Sequence, residues 1–496
     1  MNIKEAKQEI INTVRAYLTK DETGTYEIPP EKQRPILLMG PPGIGKTAVM
    51  EQAAAECGIN LVSYTITHHT RQSAIGLPFI SKRVFGGTEY SVTEYTMSEI
   101  IASVYEQIER SGIREGILFL DEINCVSETL APTMLQFLQY KMFGTHRVPD
   151  GFLIVTAGNP PEYNKSVREL DIVTLDRVKR IDVEADFGAW KEYAIGAGVH
   201  GSILSYLEIR QEHFYQVRED LDGRSFVTAR GWEDLSRVIQ VYEKTGQPVT
   251  ENLVKQYLQS PEIAADYAAY YELYNLYYRQ FRIEEILEGN AVAPERDFRS
   301  APFDEKLSLI GLLTDRLNRD FRTFCIDEDV QKSLFGELKL LLKTEHADVS
   351  ALRARLQESL EDAGKARIAG AEEMRIMRYV LHSVKDLERA AASVPPGNER
   401  KQFVKEWFAE RETARKQRAE ETGERLTHAF DFLEKTFGES QEMVIFLTEL
   451  SAGRHSLRYL SECGNKAYFH FNRILLLKDR QEQLKTEVMS LLDGSV

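Results

Sequence analysis

Gly40-Pro-Pro-Gly-Ile-Gly-Lys-Thr47 constrains the fold of this chain more than any other stretch. It follows an apolar, strand-like run, Pro35–Met39, and precedes a helical pattern over 46–57 that stops near Gly58. Gly40, Gly43 and Gly45 let the backbone curl so that consecutive N–H groups point at phosphate oxygens, and the next helix aims its positive end at the same place. In such a loop Lys46 reaches the terminal phosphates and the Thr47 hydroxyl ligates Mg2+. The expected binding residues are Gly40, Pro41, Pro42, Gly43, Ile44, Gly45, Lys46, Thr47 and Ala48. A strand, this loop and a helix in succession call for an α/β core.

The pattern continues in that sense. An opening helix runs to about Leu18, and strand-like runs recur at Leu61–Ile66, Ile117–Leu120, Phe152–Ala157 and Lys179–Val183. A helix over 97–110 carries Ile100, Ile101, Val104 and Ile108 at helical spacing. Strands separated by helices predict a parallel sheet covered on both faces. Ile117–Leu120 ends in Asp121-Glu122, and a buried parallel strand delivers its last residues to the sheet edge where the phosphate loop lies. Asp121 is expected to hold Mg2+ through water, and Glu122 to orient and polarise the attacking water.

A chain of 496 residues is too long for one core. Three parts are predicted: a nucleotide-binding domain over 1–184, an α-helical lid over 185–290 and an α-helical C-terminal domain over 291–496 suited to partner interaction. Asp186 to about Glu288 reads as helical, Gly289–Pro302 as a linker, and the leucine and methionine spacing up to Pro395-Pro396-Gly397 as a long helical hairpin. The charge balance, 62 basic against 77 acidic residues, disfavours general nucleic-acid affinity. No apolar run nears the roughly 20 residues that a membrane span needs. The polar start is not expected to be a signal peptide, and four widely spaced cysteines suit a reducing compartment. A cytoplasmic location is expected.

Over residues 30–240 the order of motifs resembles the AAA+ ATPases and, within them, the MoxR-like group. The resemblance implies ATP and Mg2+ as cofactors and an AAA+ P-loop sheet module with an all-α lid, followed here by an additional all-α region. Asn159, in Thr156-Ala-Gly-Asn-Pro-Pro, occupies the place of the sensor residue that hydrogen-bonds the γ-phosphate or attacking water. Leu175-Asp-Arg177 is similar to the element whose arginine enters the neighbouring subunit's ATP site, although Val178 stands where Phe is usual; Arg177 is the first choice and Arg180 the second. Thr228-Ala-Arg230-Gly-Trp232 resembles the second sensor, in which Arg230 would touch the γ-phosphate. An arginine supplied in trans implies a homo-oligomer, by resemblance a hexameric ring.

The stretch from Lys46 to Asp121 is long for one strand–helix–strand step. Its surplus at 68–95, with the hairpin-like Phe85-Gly-Gly…Tyr90-Ser-Val, resembles the helix-2 insert of the clade that contains MoxR-like proteins, magnesium-chelatase ATPase subunits and the restriction GTPase McrB. Lys141–Val148 reads as a second hairpin. In the family both elements face the pore or the client. The resemblance implies a protein client and a partner with a von Willebrand factor A domain. Two other functions compete: a McrB-like nucleic-acid motor, and an ATP-gated scaffold with little turnover. His68-His69 lacks a third ligand at metal spacing, the stripe from Tyr267 to Tyr278 reads as packing, and Glu410–Arg425 as a solvated helix face.

Overall fold

The computed structural model describes residues 1–68, 74, 76–163, 167, 170–220, 223–290, 301–344, 347–366, 370–438 and 440–474. The chain groups into two compact units, Met1–Trp190 with Thr228–Arg230, and Lys191–Val227 with Gly231–Val496. The fold is α/β, a parallel-sheet module followed by a large helical region.

In the first unit, α1 (Ile3–Leu18) is held at its start by a reciprocal cap between Asn2 and Glu5. There follow β1 (Ile36–Met39), α2 (Lys46–Cys57), β2 (Asn60–Thr65), β3 (Pro78–Phe85), β4 (Thr88–Tyr95), α3 (Glu99–Ser111) and β5 (Gly116–Asp121). Then come α4 (Ala131–Tyr140), β6 (Met142–Phe143), β7 (His146–Arg147), β8 (Phe152–Gly158), α5 (Ile172–Leu175) and β9 (Lys179–Asp182). The strand runs expected from sequence differ from these only by a residue or so at their ends. Helix α6 (Phe187–Ala197) runs from the first unit into the second.

Five strands form one sheet in the order β2-β5-β8-β1-β9, with every pairing parallel. The centre of the sheet is fully covered, which is why β5 and β8 read as continuous apolar runs rather than alternating ones. On one face Leu37, Leu118, Leu120 and Ile154 pack with Ile100, Val104, Met134 and Phe137 from α3 and α4. Helix α2 lies on β2 and β5 and packs against α1. The surplus before β5 forms the β3–β4 hairpin, whose two turn residues, Gly86 and Gly87, both have positive φ, as a two-residue hairpin turn requires. Residues 69–73 and 75 of the expected insert, His69 among them, lie outside the described residues. Lys141–Val148 forms the small β6–β7 hairpin.

The second unit contains α7 (Gly201–Ile209), β10 (Gln216–Asp220), β11 (Gly223–Val227), α8 (Ala229–Thr245, entering from the first unit), α9 (Glu251–Tyr257), α10 (Pro261–Gln280) and α11 (Ile283–Leu287). The β10–β11 hairpin was not legible in the helical pattern of 186–288. Helices α12 (Phe303–Leu341), α13 (Val349–Ala366), α14 (Ala371–Ala390), α15 (Asn398–Phe437), α16 (Gln441–Ala452) and α17 (Arg454–Glu462) complete it. Helices α13 and α14 form the expected hairpin. The two longest helices, α12 and α15, each contribute to two apolar cores, one around Phe321, Leu426, Phe430 and Phe446, the other around Leu334, Leu338, Val384 and Val404. Tyr267, Tyr271 and Tyr274 are buried, so the tyrosine stripe is packing.

Glu410–Arg425 is not simply a solvated face. Arg415 and Arg425 are largely buried and reach across to α12, where Arg415 meets Glu328 and Arg425 meets Asp320 at 3.0 Å. Charge alternation along a helix does not reveal that a second helix offers complementary acids. Among the described residues no helix is long and apolar enough to cross a membrane.

Leu118 has no exposed surface, whereas Leu340 on α12 is 50% exposed. Leu118→Ala is expected to destabilise the first unit by about 3 kcal/mol, and Leu340→Ala to change stability by less than about 0.5 kcal/mol; urea unfolding of the two variants checks the contrast.

Candidate functional site

Strand order brings three separated sequence segments to one sheet edge. β8 lies between β5 and β1, with Leu120 opposite Thr156 and Met39 opposite Gly158. The loop after β1, the acids ending β5 and Asn159 after β8 therefore emerge side by side. The Gly40 N–H donates to the Gly158 carbonyl at 3.3 Å. Gly45 caps α2 with φ at 95°, a conformation open mainly to glycine. Gly43 has φ at 75°, and a Cβ there would lie 2.9 Å from Thr228 Cβ, so a side chain would clash.

Lys46 is only 8% exposed. Its Nζ donates to the carbonyls of Gly40 (2.7 Å) and Pro41 (2.9 Å) and to Asn159 Oδ1 (2.9 Å). Its pKa is pulled down to about 8, chiefly by burial and also by the Arg230 charge, with Asp121 and Glu122 opposing the shift. Asn159 thus touches the lysine of the loop, with its Nδ2 donors left over for another acceptor. Thr47 Oγ1 donates to Asp121 Oδ2 at 3.2 Å, so the two expected metal ligands adjoin. A hydroxyl and a carboxylate are the hard oxygen donors that Mg2+ takes, and with the glycine loop and a buried ammonium they fit a magnesium–triphosphate group.

Glu122 is one of the few non-glycine residues with positive φ, at 58°. Held backbone strain of this kind gathers at functional sites. The Glu122 N–H donates to Asp121 Oδ1 at 2.8 Å, and its carboxylate accepts from Thr67 Oγ1 at 3.0 Å. Thr67 lies on a short turn, Ile66–His68, just past β2. Asn124, 2% exposed, clamps the Asn159 peptide: its Nδ2 donates to Asn159 O at 2.8 Å and its Oδ1 accepts from Asn159 N at 3.3 Å. A Cβ on Gly158 would lie 2.7 Å from that Oδ1. Sequence reading missed Thr67 and Asn124. Asn124 stands two residues past the acid pair; nothing in the sequence around Thr67 points to Glu122.

The three arginines fall in different places. The Arg230 backbone N–H donates to Gly43 O at 3.2 Å, and its charge is felt at Lys46, so the segment expected as the second sensor meets the loop. Arg177, in contrast, precedes β9, whose Lys179 lies opposite Ile36 at the start of β1. It sits at the opposite sheet edge from Lys46, exposed, on a cavity of about 450 Å3 shared with Arg34, Lys141 and Arg147. Arg180 is ion-paired with Asp182 at 2.8 Å. Val178, in the position where Phe is usual, is buried in the apolar core beneath the sheet. Among the described residues no group of three or more His, Cys, Asp or Glu could hold a metal ion.

Residues 36–183 match the family described as "ATPase family associated with various cellular activities (AAA)". The match spans β1 to the end of β9 and so contains the loop, the acid pair, Asn159, Arg177 and Arg180. No curated protein matches the chain. Among solved structures the chain is similar to C. elegans PCH-2, with 15% identity and a TM-score of 0.27 over 53% of this chain and 69% of that one.

The depressed pKa of Lys46 has a definite sign in stability. Its charge is a cost to the folded state below pH 8, relieved as pH rises toward the ordinary value of 10.5. The stability of Lys46→Met relative to the parent chain is therefore expected to decline as pH rises from 8 to 10.5; denaturant unfolding at several pH values measures it.

Proposed function

We propose that this chain, whose residues 36–183 form an AAA-family domain, is an oligomeric Mg-ATP hydrolase of the MoxR-like type that remodels or matures a protein client. The observation that supports hydrolysis most directly is the meeting of Lys46, Thr47, Asp121, Glu122 and Asn159 at one sheet edge, with Arg177 at the other. Mg-ATP, when bound, supplies the scissile phosphoryl group and the divalent charge beside it.

The chain's own groups have the following parts. The N–H groups of Gly43–Ala48 bind phosphate oxygens, and the Lys46 ammonium exchanges loop carbonyls for them. Thr47 and Asp121 hold the metal. Glu122 orients a water and polarises its O–H, while the Thr67 hydroxyl holds the carboxylate at 3.0 Å. Asn159 offers its amide donors to that water or to the phosphate, kept in place by Asn124. Arg230 adds a second cation beside Lys46. Arg177 cannot serve the loop of its own subunit from the far edge of the sheet, so it serves a neighbouring copy, with Arg180 as the second choice. The family resemblance supports a hexameric ring, the nucleotide-binding, lid and C-terminal divisions at 184 and 290, a von Willebrand factor A domain partner and a cytoplasmic setting.

Turnover per subunit is expected to rise with protein concentration. Arg177→Ala should bind ATP within threefold of the parent and lose roughly 10³ in rate; full turnover in that variant would remove Arg177 from the site. Asn124→Ala should keep nucleotide affinity and lower kcat at least tenfold, as judged by steady-state hydrolysis with a melting curve as control. Glu122→Gln held in ATP should retain the client in a pull-down; retention of DNA instead would favour a nucleic-acid motor.

A further inference from the structure

The second unit contains a cavity of about 520 Å3, all of whose lining residues belong to that unit. This is the size of a small-molecule site. Its walls come from segments on both sides of residues 291–300: Ile195, Gly198, Gly201 and Gln240 from the earlier helices, Thr314 and Arg322 from α12. The close approach depends on glycine. Gly198 has φ at 73°, and a Cβ there would lie 2.1 Å from a guanidinium nitrogen of Arg322.

Charges in the cavity are unevenly matched. Its acids are engaged: Asp315 by Arg319 at 2.8 Å, Glu208 by Lys191 at 2.7 Å, Glu449 by Lys191 at 3.5 Å, and Glu243 by His200 at 3.0 Å and the Tyr271 hydroxyl at 3.1 Å. Arg322, Arg375 and Lys244 also line it and, among the described residues, form no ion pair. Among the described residues, Arg375 reaches the Tyr379 hydroxyl and ring. Burial, and then the like charge of Arg375, hold the Arg322 guanidinium below its usual pKa, with Glu372 opposing. The Thr314 hydroxyl gives a second and independent observation. It is 4% exposed, lines the same cavity and has no hydrogen-bond partner. A buried polar atom left unsatisfied is costly, and such groups in native proteins ordinarily have a partner.

We propose that this cavity binds a small phosphate-bearing anion, with Arg322 and Arg375 as its cationic partners and the Thr314 hydroxyl as its buried one. Guanidinium forks match phosphate oxygens in pairs, and an anion placed there relieves the repulsion between two arginines that form no ion pair among the described residues. The lining has aliphatic side chains (Ile195, Val199, Leu204) and no Phe, Tyr or Trp; its one aromatic ring, the His455 imidazole, is tied to the Gly196 carbonyl at 3.1 Å, so a phosphomonoester or diphosphate suits it better than a nucleobase. A ligand there would join the helices before residue 291 to α12 and stabilise the second unit by mass action.

Inorganic pyrophosphate is the probe, titrated calorimetrically into the full chain carrying Lys46→Ala so that the phosphate loop contributes little. One saturable site is expected, with a rise in melting temperature. Adding Arg322→Gln should weaken it at least tenfold and adding Thr314→Val several-fold, each with an unchanged melting curve in the absence of the probe. Absence of saturable binding, or a site that neither substitution weakens, overturns the proposal. Because the assay requires neither ATP nor turnover, its failure is distinct from failure of the ATPase reading.

Discussion

A nearly fully buried ammonium has to be hydrogen-bonded on all sides, and Lys46 meets that condition only because separate pieces of backbone converge on it. Two of its acceptors are carbonyls of its own loop; the third, Asn159 Oδ1, arrives from a strand more than a hundred residues later. The convergence is a consequence of strand order. With β8 inserted between β5 and β1, the loop, the acid pair and Asn159 have to leave the sheet at adjacent points. Burial has already pulled the ammonium down to about pKa 8, so it is poised to take stronger, anionic acceptors in place of neutral carbonyls.

The same topology separates what it does not unite. Parallel strands have one edge where all C-terminal ends lie and another where all N-terminal ends lie. Arg230 joins the first through the Gly43 carbonyl; Arg177 belongs to the second, in a cavity with Arg34, Lys141 and Arg147. Around the acids, local strain and second contacts refine the arrangement: a left-handed Glu122 whose carboxylate is held by Thr67, and a clamp from Asn124 that needs glycine at 158.

The helical unit follows a different logic. Its long helices α12 and α15 share two apolar cores, and they are also joined by arginine–carboxylate pairs that are largely sheltered from water. Such pairs are poor sources of net stability but strict about register, since breaking one leaves a buried charge uncompensated. The cavity beside α12 is the exception to this matching, because Arg322 and Arg375 line it without an ion pair among the described residues.

Local chemistry was legible in the sequence wherever one segment was sufficient to specify it. The glycine loop, the apolar strands ending in Asp121-Glu122, the Gly86-Gly87 turn and the α13–α14 hairpin depend on the intrinsic conformational preferences and periodicity of neighbouring residues. The β10–β11 hairpin was hidden because its short strands sit within a long helical run. Only the tertiary structure decided that Thr67 holds Glu122, that Asn124 clamps Asn159, that Arg415 and Arg425 are interhelical ties and that Arg177 lies at the far sheet edge. Each of these joins residues distant along the chain or turns on which face a strand or helix presents, and neither is written in any one window of sequence: contact between remote residues is set by strand order and helix packing, which emerge only when the whole core is assembled.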